Sequence, residues 1–198
     1  MIETLKSAIL SGIAVGIAGS GFLATRDIVG SILFAFALLT VVNYKLKLYT
    51  GTAGFIKRNE LPHLLLVLFG NLIGCFLMAL LARCSPMELQ ASAENLLQGR
   101  LNIGPIKGGL LAIGCGFIMT TAVTFARKGN NLPLLIGVPL FITCGFPHCA
   151  ADAFFYLTAP LDFWMENLGS ILLFYVNIVV GNFIGCNLYR WVMGKNPE

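Results

Sequence analysis

The chain has 198 residues, 57% of them hydrophobic and only 11% charged, with a mean hydropathy of +0.83, whereas a soluble domain carries about 25% charged residues. This is the composition of an integral membrane protein, and at about 20 residues per crossing it excludes a large catalytic domain outside the bilayer. The net charge of +4 is scattered in basic runs no longer than two residues, which excludes a nucleic-acid footprint.

Charge-free gaps mark the membrane segments, because a charge at mid-bilayer costs about 3 kcal/mol or more on insertion scales. Lys6 to Arg26 encloses 19 uncharged residues, Asp27 to Lys45 encloses 17, Lys47 to Lys57 only 9, and Glu60 to Arg83 encloses 22. The first stretch has no small-residue cleavage site and more spans follow it, so it reads as the first span rather than a signal peptide. The second half repeats the rhythm: 19 residues from Lys107 to Arg127, 23 from Lys128 to Asp152, 9 from Asp152 to Asp162 and 23 from Glu166 to Arg190.

Nine apolar residues cannot cross a bilayer as a helix, so each short piece is the second part of a discontinuous span. The breaks fall at Asn43 to Thr52 and at Cys144 to Cys149, the latter containing Gly145 and Pro147, which end a helix. The last span of each half carries the same signature, Gly70-Asn71-Leu72-Ile73-Gly74-Cys75 against Gly181-Asn182-Phe183-Ile184-Gly185-Cys186. The predicted fold is therefore all-α: six transmembrane helices in a 3+3 inverted repeat with broken second and fifth helices. Residues 1–95 form the first repeat and 103–198 the second, within one transmembrane domain. With both termini inside, Lys6, Lys57, Arg58, Arg127, Lys128, Arg190 and Lys195 lie on the inner side, against Arg26, Arg83, Arg100 and Lys107 outside, as the positive-inside rule prefers. The expected location is the cell membrane, with cytoplasmic termini. The longest connection, 84–105, is expected outside with a short surface helix near Ser92-Ala93-Glu94, and nothing in it suggests chemistry.

Broken spans at matching places in two inverted halves point to a permeation site near the midplane. Half-helices meeting there present unpaired N–H groups and positive dipole ends, which favour anions. Thr50 adds a hydroxyl and His148 an ionisable group, and an ionisable group inside a span is functional by default. Asp152, four residues on, either orients His148 or forms a salt bridge with Lys45 or Lys47. Phe34 and Phe141 precede the breaks by similar depths and are placed to narrow a pore. Asn71 and Asn182 are expected to tie helices or break-loop carbonyls, and the G-x-x-x-G pairs Gly12/Gly16, Gly70/Gly74 and Gly181/Gly185 to bring helices close. Five of the six cysteines (75, 84, 115, 144, 149, 186) lie in apolar segments, none in a C-x-x-C pair, so they read as packing residues; no metal or cofactor is expected.

Leu48-Tyr49-Thr50 in the first break, Gly145-Phe146-x-His148 in the second, and the paired Gly-Asn-x-x-Gly motifs resemble the formate/nitrite transporter family over about residues 8 to 193. The resemblance implies an aquaporin-like protomer in a homopentamer, each subunit with a pore for small monovalent anions such as formate, nitrite or hydrosulfide. It implies that Thr50 and His148 are the central pore pair, that Asn182 supports the loop, and that Leu38, Leu48, Phe34 and Phe141 are hydrophobic constrictions. Lys107 lies near a basic residue typical of the start of the fourth span. The chain departs from the family in Asp152, where an asparagine is usual.

An anion between hydrophobic constrictions pays a heavy desolvation cost that its conjugate acid avoids, so proton exchange at His148 is the expected mechanism. Two transport alternatives stand beside it: an aquaporin-type channel for neutral solutes, and a proton-coupled symporter using His148 and Asp152. A membrane-embedded enzyme with Cys149 as nucleophile is disfavoured, because adjacent residues point apart and no oxyanion partner is evident.

Overall fold

The computed structural model describes residues 1–195, apart from the Arg58 side chain, so the last three residues of the second predicted repeat lie outside it. Among the described residues the regular structure is entirely helical: α1 (Ile2–Thr25), α2 (Ile28–Leu33), α3 (Ala35–Asn43), α4 (Tyr49–Ala53), α5 (Leu61–Ala82), α6 (Leu89–Ile103), α7 (Pro105–Arg127), α8 (Leu132–Thr143), α9 (Cys149–Thr158) and α10 (Leu161–Met193). Four of these, α1, α5, α7 and α10, are long and apolar enough to cross a membrane, and 28–43 and α8 are shorter apolar helices. The protein is a membrane protein.

Local chemistry sets the ends. Arg26 closes α1 in the left-handed conformation, with φ 56°, and Asp27 opens α2 by accepting the Gly30 N–H at 2.9 Å, an N-cap that pairs an otherwise orphaned donor. Pro sits in the first turn of α5, α7 and α8, where its missing N–H costs nothing.

Two tight helix pairs frame the molecule, α1 with α5 and α7 with α10. Each is closed by a glycine from the repeated signature. A Cβ on Gly74 would lie 2.1 Å from the Ile9 carbonyl oxygen, and one on Gly185 2.0 Å from that of Ile113, so no larger residue permits these approaches.

Between the pairs run two interrupted segments. Helix α3 stops at Asn43 and α4 starts at Tyr49; α8 stops at Thr143 and α9 starts at Cys149. The interruptions match atom for atom at an offset of 100 residues. Leu46 N–H donates to the Val41 carbonyl at 2.8 Å and Phe146 N–H to that of Phe141 at 2.9 Å, while Lys45 and Gly145 bond Val42 and Ile142. Lys45 and Gly145 both take positive φ, 54° and 68°.

Three details differ from the sequence reading. The segment before the first break is two helices meeting at Phe34 rather than one. The first short piece contains five helical residues and the second ten. Helix α10 runs unbroken for 33 residues through Asp162 and Glu166, charges that mark where the apolar stretch ends but do not stop a helix.

Candidate functional site

Each break is held open by one buried asparagine. Asn71 Oδ1 accepts the Tyr49 N–H at 2.9 Å, and its amide donates to the carbonyls of Ala8 (2.9 Å) and Lys47 (3.0 Å). Asn182 repeats the pattern: Oδ1 accepts the Cys149 N–H at 2.8 Å, and the amide donates to Ala112 (2.8 Å) and Pro147 (3.0 Å). An interruption leaves buried main-chain groups to be paired, and one amide side chain satisfies two of them, its third bond tying the loop to a carbonyl of the unbroken helix α1 or α7. Each asparagine thus links a neighbouring helix to a loop carbonyl, Lys47 or Pro147.

The cysteine one helical turn after each asparagine adds a further link between segments remote in sequence. Cys75 Sγ donates to the Ala150 carbonyl at 3.3 Å, and Cys186 Sγ to that of Thr50 at 3.5 Å. These buried thiols were expected only to pack; each also bonds the first turn of the opposite half's short helix. All six cysteines are free.

At the meeting of the breaks the Thr50 hydroxyl oxygen and His148 Nε2 lie 2.9 Å apart. The offset of 100 residues pairs His148 with Leu48 and Thr50 with Ala150, so the polar pair is not related by the repeat. His148 is the N-cap of α9, and its Nδ1 accepts the Ala151 N–H at 3.2 Å. A main-chain N–H only donates, so Nδ1 is unprotonated and the neutral ring carries its proton on Nε2, towards Thr50. The Phe141 ring stacks on the imidazole with centroids 5.6 Å apart.

Two cavities flank this pair, at opposite ends of α1. One, of about 370 Å³, lies at the first break among Val41, Lys45, Lys47, Gly51, Thr52 and Arg127, at the α1 end where Lys47 N–H bonds the Ser7 hydroxyl. The other, of about 430 Å³, lies at the second break among Arg26, Arg100, Phe141, Gly145, Ala151 and Asp152. Leu38, Leu48, Thr50 and His148 line neither cavity and are at most 1% exposed.

Phe34 and Phe141 do not correspond across the repeat, as their similar depths suggest. Phe141 matches Val41, and both phenylalanines line the second-break cavity, their rings edge to face at 6.4 Å. Both predicted constriction residues therefore lie at the second-break cavity. Tyr49 is buried, with its hydroxyl on the Val179 carbonyl at 3.2 Å. Lys107 is exposed at the start of α7 and lines neither cavity.

Asp152 pairs with neither Lys45 nor Lys47. Its Oδ1 receives Arg100 Nε at 3.0 Å, and its Oδ2 accepts the main-chain N–H of His148 at 2.8 Å, so it holds the backbone and not the imidazole ring. Arg100 Nη1 also donates to the Gly145 carbonyl at 2.5 Å. Arg127 has a comparable place at the first break, with Nη2 on the Gly51 carbonyl at 2.9 Å and its guanidinium 3.8 Å from the Phe55 ring centroid. Arg100 sits on α6, in the connection that seemed inert. The cost of an unpaired buried carboxylate says that Asp152 needs a cation but not which one, because α6 and α9 meet only in three dimensions. Among the described residues no three His, Cys, Asp or Glu side chains converge where a metal ion could sit.

A model of the formate/nitrite transporter family matches residues 1–193. The chain belongs to that family. Two solved structures share the transporter's fold: a pentameric formate channel with formate bound (TM-score 0.79, 21% identity, 98% of this chain and 95% of that one) and an FNT family ion channel (TM-score 0.73, 20% identity, 97% and 90%). No curated protein matches the chain. The family and the two neighbours are transporters and channels, not enzymes. The likeness to these two structures is one of fold.

Proposed function

We propose that the protein is a channel or transporter for small monovalent anions of the formate, nitrite and hydrosulfide class. The observation that carries this is the Thr50–His148 hydrogen bond between two cavities, where two short helices begin. In this reading the chain crosses the membrane six times in a 3+3 inverted repeat of 1–95 and 103–198, with both termini in the cytoplasm. The matched breaks at Tyr44 to Leu48 and Cys144 to His148 then interrupt the second and fifth spans. The formate-bound pentamer among its structural neighbours supports a homopentamer in the lipid bilayer, with formate among the substrates.

The pore runs from the first-break cavity past Leu48, Leu38, Thr50 and His148 to Phe34 and Phe141 at the second. Apolar rings and buried leucines exclude water, so a bare anion is penalised between them and its conjugate acid is not. The Thr50 hydroxyl and the Nε2–H of His148 are the donors an anion meets at that point. For the imidazole to deliver a proton it must first take one at Nδ1, giving up the Ala151 bond. The imidazolium then releases its Nε2 proton to the anion, directly or across the Thr50 hydroxyl, and a neutral ring and a neutral acid remain.

The test is flux through the purified protein in sealed liposomes, comparing formate, nitrite, hydrosulfide and glycerol between about pH 5 and pH 8. Saturable, pH-dependent anion flux is expected. Glycerol flux without anion flux would show a neutral-solute channel on the same fold, and uphill uptake under a pH gradient a proton-coupled symporter.

A further inference from the structure

The second-break cavity is faced by three charged side chains, Arg26, Arg100 and Asp152. Arg100 and Asp152 form an ion pair in which the side chains are 16% and 1% exposed. Arg26 has no carboxylate within ion-pairing distance among the described residues; its guanidinium lies 5.5 Å from the Phe22 ring centroid. Partial burial and then the like charge of Arg100 hold the Arg26 guanidinium below its ordinary value. The cavity thus carries one uncompensated positive charge beside a cation that already has a counter-ion.

Two guanidinium groups facing one cavity bind a planar oxyanion through charge-assisted hydrogen bonds. A permeation site must also release what it captures. We propose that Asp152 is a built-in competitor for the transported anion at Arg100. An entering carboxylate or nitrite ion takes a place between Arg26 and Arg100, shares the Arg100 guanidinium with Asp152, and is held loosely because of it. This inference rests on the anion-transport reading above. Arg26 supplies attraction, Asp152 limits affinity, and the two set the half-saturating concentration of the second-break mouth.

Asp152→Asn separates this charge from the structural duty of the residue, since an amide oxygen still accepts the His148 N–H. Equilibrium exchange of labelled formate across liposomes reads the half-saturating concentration independently of how the protein is oriented. Asp152→Asn is expected to lower it by roughly tenfold, and Arg26→Gln to raise it by a similar factor, the order expected for one charge in a partly screened site. The double variant returns towards wild type. A purely structural Asp152 would reduce maximal flux with the half-saturating concentration unchanged, and that result overturns the inference while leaving anion transport intact. Arg26 is exposed at a helix end, so if Asp152→Asn fails to fold, an unchanged half-saturation in Arg26→Gln overturns it equally. Wild-type protein with no saturable exchange of formate, nitrite or hydrosulfide removes the transport reading, and the inference with it.

Discussion

The main-chain N–H of Ala151 donates to His148 Nδ1 at 3.2 Å, so the ring that faces Thr50 also caps helix α9. Protonation at Nδ1 must break that cap. In the proposed mechanism proton exchange and helix capping compete for one nitrogen, and different substitutions separate them.

His148→Asn keeps an acceptor at the cap but cannot titrate, whereas His148→Ala loses both. We expect pH-independent flux from both variants, and about 1 kcal/mol less stability in His148→Ala alone, the usual cost of a lost N-cap. Flux at several pH values with thermal melts in detergent checks this; a wild-type pH profile in His148→Asn would remove the proton-exchange role.

Thr50→Val is nearly isosteric but leaves the buried Nε2–H of His148 without its partner at 2.9 Å. An unpaired buried donor costs about 1 to 3 kcal/mol, and we expect flux to fall by roughly tenfold or more, the equivalent of one hydrogen bond lost from the permeation barrier. Thr50→Ser should retain most of the flux.

Asn182→Leu removes the bonds to the Cys149 N–H and the carbonyls of Ala112 and Pro147. The Ala112 carbonyl keeps its bond within α7, so two buried main-chain groups are left unpaired, and the expected loss is several kcal/mol, read as failure to fold or as a large fall in melting temperature. Asn71→Leu should behave alike, because Asn71 makes the matching three bonds.

Gly185→Ala and Gly99→Ala should differ in sign. A methyl at Gly185 would stand 2.0 Å from the Ile113 carbonyl oxygen, while one at Gly99 meets nothing within 4 Å. Gly99→Ala on α6 should be neutral or stabilising by up to about 1 kcal/mol, and Gly185→Ala should push α7 and α10 apart and lower the melting temperature.

The Asp27 carboxylate is held below its ordinary range by the Gly30 N–H and then by the Thr25 hydroxyl. A lowered folded-state value means that this cap contributes above about pH 4 and is lost as pH falls through the folded value. Melting of Asp27→Ala should accordingly fall below wild type near neutral pH and converge with it in acid.

The chain itself singles out the stretches where helices stop before Tyr49 and Cys149, and Thr50, His148, Asn71 and Asn182 as the polar candidates near them, because a membrane makes charge spacing and helix-breaking residues unusually informative: an uncharged run must match the bilayer, and a broken span must have a partner that satisfies its backbone. The repeated Gly-Asn-x-x-Gly-Cys signature even announced the close helix pairs. Contacts between segments remote in sequence were another matter. That Asp152 answers to Arg100, that Phe34 and Phe141 meet at the same cavity, and that the Cys75 and Cys186 thiols bond segments remote in sequence follow from how the helices assemble. Spacing rules reach only along one helix or between matched repeats, so a carboxylate in a span reveals that it needs a cation, and only the packed structure decides which one.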